Sequence, residues 1–219
     1  VSIKAILFDL DGTLLDTNEL IIQSFQHTYK THLNKEVPRE KIVQSFGEIL
    51  KVTLDRECPG CSEEAIKTYR AFQALNFEKL ITVHTGVKEA LEILHKKGYK
   101  LGVVTSRLNE SARKGLKLFD LEHYFESIIG ANDTKKHKPD PTPALMALKE
   151  LDIEVDEAIM VGDSPFDVLC GKNAGIISVA VAWSALPREI YMQHNPDYVV
   201  DSMEELIDII ENLNKNQSL

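Results

Sequence analysis

The feature that most constrains this chain lies near its N-terminus, where the apolar run Ala5-Ile6-Leu7-Phe8 ends abruptly in Asp9-Leu10-Asp11-Gly12. Four consecutive apolar residues suit a strand buried on both faces, as in a parallel sheet. In extended chain, residues i and i+2 point to the same side, so Asp9 and Asp11 look into one pocket while Leu10 faces away. Gly12 lets the backbone turn sharply straight afterwards. Two carboxylates held this close repel unless a cation lies between them or one takes a proton. The pair therefore suits Mg²⁺ and acid–base work, although an acidic turn after a strand reads the same way in isolation.

The rest of the chain supplies the context. Residues 16–82 carry helical periodicity, with Ile22, Phe25 and Tyr29, and again Ala65, Tyr69 and Phe72, spaced by three and four. Pro38 and the turn Cys58-Pro59-Gly60-Cys61 punctuate this block, in which no clear strand is visible. It reads as an all-helical insertion. From residue 83 onward, strands alternate with helices. A helix over 87–97 ends at Gly98, and a strand over 100–105 ends in Thr105-Ser106-Arg107. A weaker strand covers 127–130, and the turn Lys138-Pro139-Asp140-Pro141 precedes a helix through Ala144, Ala147, Leu148 and Leu151. A strand over 158–162 ends in Gly162-Asp163-Ser164, with Pro165 suited to the first turn of the next helix. A strand over 177–181 and an amphipathic helix carrying Met203, Leu206, Ile210 and Leu213 complete the pattern, with 214–219 read as a frayed tail. Such alternation predicts an α/β fold, a Rossmann-like parallel sheet with helices on both faces.

Ligands of such sheets sit at the carboxyl ends of the strands. Those ends offer Asp9 and Asp11, then Thr105 and Ser106, then Lys138 from a loop, then Asp163. Hydroxyl and ammonium groups suit phosphate oxygens, and carboxylates suit Mg²⁺. Singly, Thr105 and Ser106 could cap a helix, Lys138 could be a solvated charge, and Asp163 could be a turn residue. Together at strand ends they describe a phosphoryl-transfer site.

A formal net charge of −9 argues against broad binding to nucleic acid or anionic membrane, and requires a locally positive site for an anionic substrate. No apolar run approaches the roughly 18–20 residues of a membrane span, and the first ten residues lack a signal-peptide layout, so a cytoplasmic location is expected. Three cysteines make no disulfide framework. Cys58 and Cys61 read as a turn between helices rather than a redox or zinc pair. His137 reads as a solvated neighbour of Lys138, and Trp183 as core or rim packing.

Asp9-Leu-Asp-Gly-Thr13, Thr105, Lys138 and Gly162-Asp163-Ser164-x-x-Asp167 resemble, in order, the four signature motifs of the haloacid dehalogenase (HAD) superfamily. The dehalogenases lack the second carboxylate, so Asp11 points to the phosphatase branch. The resemblance implies a catalytic core over 1–15 and 83–219 and a C1-type helical cap over 16–82. It implies Asp9 as nucleophile, Asp11 as general acid–base, and Thr105, Ser106 and Lys138 as the phosphate cradle. Asp9, the Asp11 carbonyl and Asp163 would bind Mg²⁺, with Asp167 in or near the shell around them.

Within the superfamily, Asp16-Thr17-Asn18-Glu19-Leu20-Ile21-Ile22, Tyr69-Arg70-x-Phe72, Val181-Ala-Trp183 and Pro196-Asp197-Tyr198 resemble the PpaX-type inorganic pyrophosphatases, and next the phosphoglycolate phosphatases. Hydrolysis of a small phosphorylated substrate is the implied activity. A sugar-phosphate mutase or a non-catalytic binding protein would share the core. One departure concerns the cap loop at Gly47-Glu48, where those relatives usually carry proline after glycine. A negative charge there disfavours pyrophosphate unless it faces away or pairs with Lys51 or Arg56.

Overall fold

The computed structural model describes residues 2–215. Strand β1 (Ala5–Phe8) is followed by a two-residue strand β2 (Leu15–Asp16), then helices α1 (Asn18–Leu33), α2 (Arg39–Val43), α3 (Leu50–Glu57) and α4 (Ser62–Asn76). Strand β3 (Thr82–Val83) returns the chain to α5 (Val87–Lys96), β4 (Lys100–Val104), α6 (Asn109–Leu118), β5 (Ser127–Ile129) and α7 (Thr142–Leu151). Then follow β6 (Ala158–Gly162), α8 (Pro165–Ala174), β7 (Ile177–Val181), α9 (Arg188–Met192), β8 (Tyr198–Val200) and α10 (Met203–Lys215).

Six strands form one parallel sheet in the order β5-β4-β1-β6-β7-β8. Strand β1 lies between β4 and β6, where the winding reverses, and its carboxyl end therefore opens at the position where such sheets bind ligands. Period-2 alternation explains the two faces. Ile6, Phe8, Val103 and Val161 pack with Leu91 and Leu94 of α5 and Leu206 and Ile210 of α10. Ala5, Leu7 and Met160 pack with Ala147 and Leu148 of α7 and Cys170 of α8. The sheet is buried on both sides, as the unbroken apolar runs require.

Helices α1–α4 build a separate apolar cluster from Phe25, Tyr29, Ile42, Leu54, Ala65 and Tyr69, joined by Leu186 from the segment after β7. Phe25 lies 4.8 Å from Tyr69 and 5.6 Å from Tyr29, centroid to centroid. Cys58 is buried in this cluster and burial pushes its thiol up to about 11, so it is a packing residue rather than a reactive one.

Three local expectations need correction. Asp16 and Thr82, assigned to an all-helical insertion, pair with each other as the ends of a two-stranded antiparallel ladder in register with Leu15 and Val83. Two residues are too few to leave a periodic signal. Strand β8 was not expected, and it is fixed by Asp197, whose Oδ2 accepts from the Ser178 amide and hydroxyl of β7 at 2.8 and 2.7 Å. Asn214, expected to fray, belongs to α10: its side chain accepts from the Ile3 amide at 2.7 Å and donates to the Ile3 carbonyl at 3.1 Å. The remainder of that expected tail, 216–219, lies outside the described residues. No helix of the described chain is long and apolar enough to cross a membrane.

Candidate active site

The Asp9 amide still bonds to the Val161 carbonyl at 2.8 Å, so the sheet register carries Asp9 to the carboxyl edge before the chain turns away. Gly12 then adopts φ +85°, and a Cβ there would lie 2.3 Å from Asp163 Oδ2. Only glycine lets the turn after β1 press against the acidic residue at the end of β6.

Asp9, Lys138 and Asp167 form one buried hydrogen-bonded line. Lys138 Nζ donates to Asp9 Oδ1 and Asp167 Oδ1, both at 2.6 Å, and to the Val104 carbonyl at 3.0 Å. Three acceptors saturate the ammonium. Burial opposes its charge, but Asp167 and Asp9 outweigh that effect and raise its pKa. The other Asp167 oxygen accepts from the Ser164 amide at 3.0 Å and hydroxyl at 2.6 Å, capping α8. The Lys138–Pro139 peptide is cis. Of the basic run Lys135, Lys136 and Lys138, only the last is buried; Lys136 points outward to Asp140 at 3.6 Å.

Carboxylate oxygens of Asp9, Asp163 and Asp167 lie within 4.8 Å of one another. Burial pushes the Asp9 carboxyl up to about 7 despite Lys138, with Asp167 and Asp11 adding to the rise. Burial and the charges of Asp9 and Asp167 raise Asp163 well above the carboxylate range. Ser184 holds the Asp163 carbonyl at 2.7 Å and its Oδ2 at 3.3 Å. Crowded, dehydrated hard oxygen donors fit a small divalent cation, which relieves the repulsion that otherwise forces protons onto them.

Asp11 has a different partner. Arg107 clasps it with two nitrogens, Nη2 to Oδ1 at 2.7 Å and Nε to Oδ2 at 3.0 Å. Burial alone would raise the Asp11 carboxyl, but the charge and hydrogen bonds of Arg107 outweigh it and hold it below its ordinary value. Arg107 Nη1 also donates to Gln73 Oε1 of α4 and Ser111 Oγ of α6, both at 3.0 Å. Sequence reasoning passed over Arg107 and Gln73. The i, i+2 rule that joined Asp9 to Asp11 also places Arg107 on the side of Thr105, and that signal went unused.

Thr105 and Ser106 do not cap α6, which begins after Leu108 without a side-chain cap. The Thr105 hydroxyl accepts from the Arg107 amide at 3.1 Å, and the Ser106 hydroxyl donates to the Gly47 carbonyl at 2.8 Å. The Gly47-Glu48 loop thus rests on the sheet edge. Glu48 is occupied by Arg56 at 2.8 Å and Thr53 at 2.6 Å, while Lys51 pairs with Asp55 instead. Although burial would raise it, these partners hold Glu48 below its ordinary pKa. Its charge is largely answered where it stands.

Asp9, Asp11, Gly47, Glu48, Thr105 and Ser106 all line one cleft of about 610 Å³ between the helices α1–α4 and the sheet edge. Lys138, Asp163 and Asp167 lie buried behind its floor. His137 lines the rim, and Trp183 stands apart, its indole donating to the Thr13 carbonyl at 3.2 Å. The cleft can hold a phosphate against Asp9 with room beyond it.

Residues 6–181 match the family model described as haloacid dehalogenase-like hydrolase. The chain is 40% identical over 210 residues to the protein named pyrophosphatase PpaX of Halalkalibacterium halodurans, covering 96% of this chain and 98% of that one. It is 44% identical over 217 residues to a protein of Caldanaerobacter subterraneus subsp. tengcongensis named as a candidate pyrophosphatase PpaX, covering 99% of each. Among solved structures, a haloacid dehalogenase-like family hydrolase from Streptococcus pneumoniae superposes with a TM-score of 0.84 at 26% identity, covering 94% of this chain and 98% of that one.

Proposed function

This chain belongs to the haloacid dehalogenase-like hydrolase family, and on that premise we propose that it is a Mg²⁺-dependent phosphohydrolase working through an aspartyl-phosphate on Asp9, with inorganic pyrophosphate as its preferred substrate. The observation that carries the proposal is the buried line Asp9–Lys138–Asp167 beside Asp163, opening through Asp9 into the cleft. Such an arrangement holds one carboxylate ready while its neighbours answer charge on a phosphoryl group.

In the first step an Asp9 oxygen forms a bond to phosphorus as the bond from phosphorus to the leaving oxygen breaks. Asp11 stands at the cleft to give that oxygen a proton. In the second step Asp11 takes a proton from water, whose oxygen bonds to phosphorus as the acyl-phosphate bond breaks, restoring Asp9. Lys138 neutralises part of the phosphoryl charge, and the Thr105 hydroxyl and Ser106 orient it. Asp9 and Asp163, with the Asp11 carbonyl, would hold Mg²⁺, which supplies charge stabilisation at the phosphoryl oxygens. Both Asp167 oxygens already accept hydrogen bonds, so Asp167 serves by fixing Lys138 and the start of α8. We read 1–15 and 83–219 as the catalytic core and 16–82 as a cap that excludes bulk water when its Gly47 loop meets Ser106.

Support for pyrophosphate comes from the relatives' names and from the Arg107–Asp11 pair. A carboxylate clasped by a guanidinium stays ionised and seldom carries a proton to give. That suits a weakly basic phosphate leaving group better than an alkoxide. A second reading, a phosphatase of small phosphomonoesters, is favoured by the apolar walls Ile21, Phe25 and Leu50, which a diphosphate would not use.

The test is a kinetic panel of pyrophosphate, phosphoglycolate and glucose 1-phosphate with Mg²⁺, combined with rapid quench of Asp11→Asn and labelled pyrophosphate. Pyrophosphate should lead the panel, and covalent phosphate should accumulate in the variant because the second step has lost its base. Full turnover by Asp9→Asn would refute the covalent route.

A further inference from the structure

The catalytic roles above leave Arg107 unassigned, although it is the cation most firmly built into the cleft wall. Its side chain is 8% exposed. Four of its five N–H groups are committed: Nε and one on Nη2 to Asp11, and the pair on Nη1 to Gln73 and Ser111. The second Nη2 hydrogen has no protein acceptor among the described residues. The guanidinium carbon lies 5.6 Å from the centre of the Phe77 ring, which also carries Lys114 Nζ at 5.0 Å.

The supports of Arg107 are themselves fixed. The Gln73 carbonyl accepts from Arg107 while its amide nitrogen donates to the Tyr69 hydroxyl at 3.0 Å, so the amide has one orientation. A hydrogen-bonded line therefore runs from Asp11 through Arg107 and Gln73 to Tyr69, from the sheet edge into α4. A buried ion pair needing only to hold a fold would not require a cleft-lining position, nor anchors on both sides of the cleft.

We propose that Arg107 selects substrates carrying a second anionic group on the leaving side of the scissile bond, with Gln73 as its positioning residue. The inference rests on the reading of Asp9 as nucleophile and Asp11 as the group facing the leaving oxygen. A guanidinium bonded to Asp11 is then next to whatever departs. Its free hydrogen, and those it can withdraw from Asp11, meet a phosphate or carboxylate in planar two-point geometry. The class is a diphosphate or a phosphorylated hydroxy acid, as opposed to an ester whose leaving group carries no charge of its own. Lys114 also lines the cleft, but Glu78 at 3.7 Å answers part of its charge, which leaves Arg107 as the group for this anion. Lys138 cannot serve, because all three of its hydrogens are spent behind Asp9.

The experiment compares Arg107→Gln, Arg107→Lys and Gln73→Leu with the wild type in two readouts. The first is kcat/KM for pyrophosphate against p-nitrophenyl phosphate, whose leaving group carries no second anion. The second is calorimetric binding of imidodiphosphate against orthophosphate, with Mg²⁺ and without turnover. A lost charge-assisted bond corresponds to roughly 10- to 100-fold. Arg107→Gln should reduce pyrophosphate at least about tenfold more than p-nitrophenyl phosphate, and should shrink the binding preference for imidodiphosphate similarly. Arg107→Lys should restore part of both, and Gln73→Leu should lower the same two ratios to a lesser extent.

Equal losses on both substrates and both ligands would mean that Arg107 only supports Asp11 or the fold, and would overturn the inference. Should Arg107→Gln not fold, the Gln73→Leu and Arg107→Lys ratios decide the question. Should the wild type hydrolyse none of the substrates, the enzymatic reading fails alone. The ratio of imidodiphosphate to orthophosphate binding then still decides on Arg107.

Discussion

Replacing Gly47 by alanine separates the working contact between the helices and the sheet edge from the stability of either. Gly47 sits at φ +85°, and a Cβ there would lie 2.6 Å from Ser164 Oγ, 2.9 Å from Phe166 Cδ2 and 3.0 Å from Ser164 Cβ. Two costs follow. Holding an L-residue at positive φ costs about 1–2 kcal/mol and applies in every state that keeps the loop's shape. The overlap costs about 1–3 kcal/mol and applies only while the loop rests on Ser164 and Phe166. Ser164 cannot yield cheaply, because its hydroxyl is held by Asp167 at 2.6 Å and Asp167 in turn holds Lys138. If the loop lifts to escape, it also gives up the bond from Ser106 to the Gly47 carbonyl. The overlap then penalises closure rather than folding. With tenfold in rate for each 1.4 kcal/mol, kcat/KM for pyrophosphate should fall by about 5- to 150-fold. The φ cost should lower Tm by only about 2–8 °C for a chain of this size. Steady-state kinetics and calorimetry on the same preparation measure both. An unchanged kcat/KM would show that the Gly47–Ser106 contact is not part of the catalytic conformation. A collapse in Tm with no selective loss of activity would show that the overlap is borne by the fold.

Three further outcomes are expected. Because the Asp9 pKa is raised to about 7 in the metal-free protein, the folded chain binds more protons than the unfolded chain between about pH 4 and 7. Metal-free stability should therefore fall as pH rises through that window, and the Tm increase given by saturating Mg²⁺ should be larger at pH 8 than at pH 5.5; the opposite trend in thermal melts would contradict the carboxylate cluster as the cation site. Lys138→Met leaves the buried Asp9 and Asp167 without their cation and should cost about 3–5 kcal/mol in urea unfolding, less at low pH where the carboxyls can protonate; a loss under 1 kcal/mol at pH 8 would refute that accounting. Since Glu48 is already answered by Arg56 and Thr53, Glu48→Gln should change the kcat/KM ratio of pyrophosphate to phosphoglycolate by less than about threefold, and a tenfold change would make Glu48 a selector.

What was legible in the sequence followed from periodicity and from strand ends. The Ala5–Phe8 run fixes where β1 stops, so Asp9 and Asp11 could be placed together without a structure, and the same reasoning reached Thr105 and Asp163. Lys138 could be read by residue type but not by geometry, because nothing local shows that it folds inward while Lys136 folds outward. Elements of two or three residues, β2, β3 and β8, carry no periodic signal and exist through partners far along the chain. The i, i+2 spacing puts Arg107 on the side of Thr105, but the partnership of Arg107 with Gln73 was illegible for a related reason. It depends on α4 approaching the β4 edge, a tertiary contact between segments 34 residues apart.

The local charge balance explains why an acidic protein can still take an anionic substrate. The overall charge of −9 demanded a positive site, yet Asp9, Asp11, Asp163 and Asp167 gather there against only Lys138 and Arg107. Fully ionised, that group carries two negative charges more than positive ones, and burial together with the neighbouring carboxylates raises the pKa values of Asp9 and Asp163. A phosphate dianion would meet repulsion in such a site. One divalent cation removes the excess, lowers the proton affinity of Asp9 and, with Lys138 and Arg107 already counted, makes the group neutral, so that the substrate anion no longer meets a net negative field. Binding of imidodiphosphate should therefore require Mg²⁺ first and should release protons near pH 7. Equal affinity with and without Mg²⁺, measured in buffers of different ionisation enthalpy, would contradict that order.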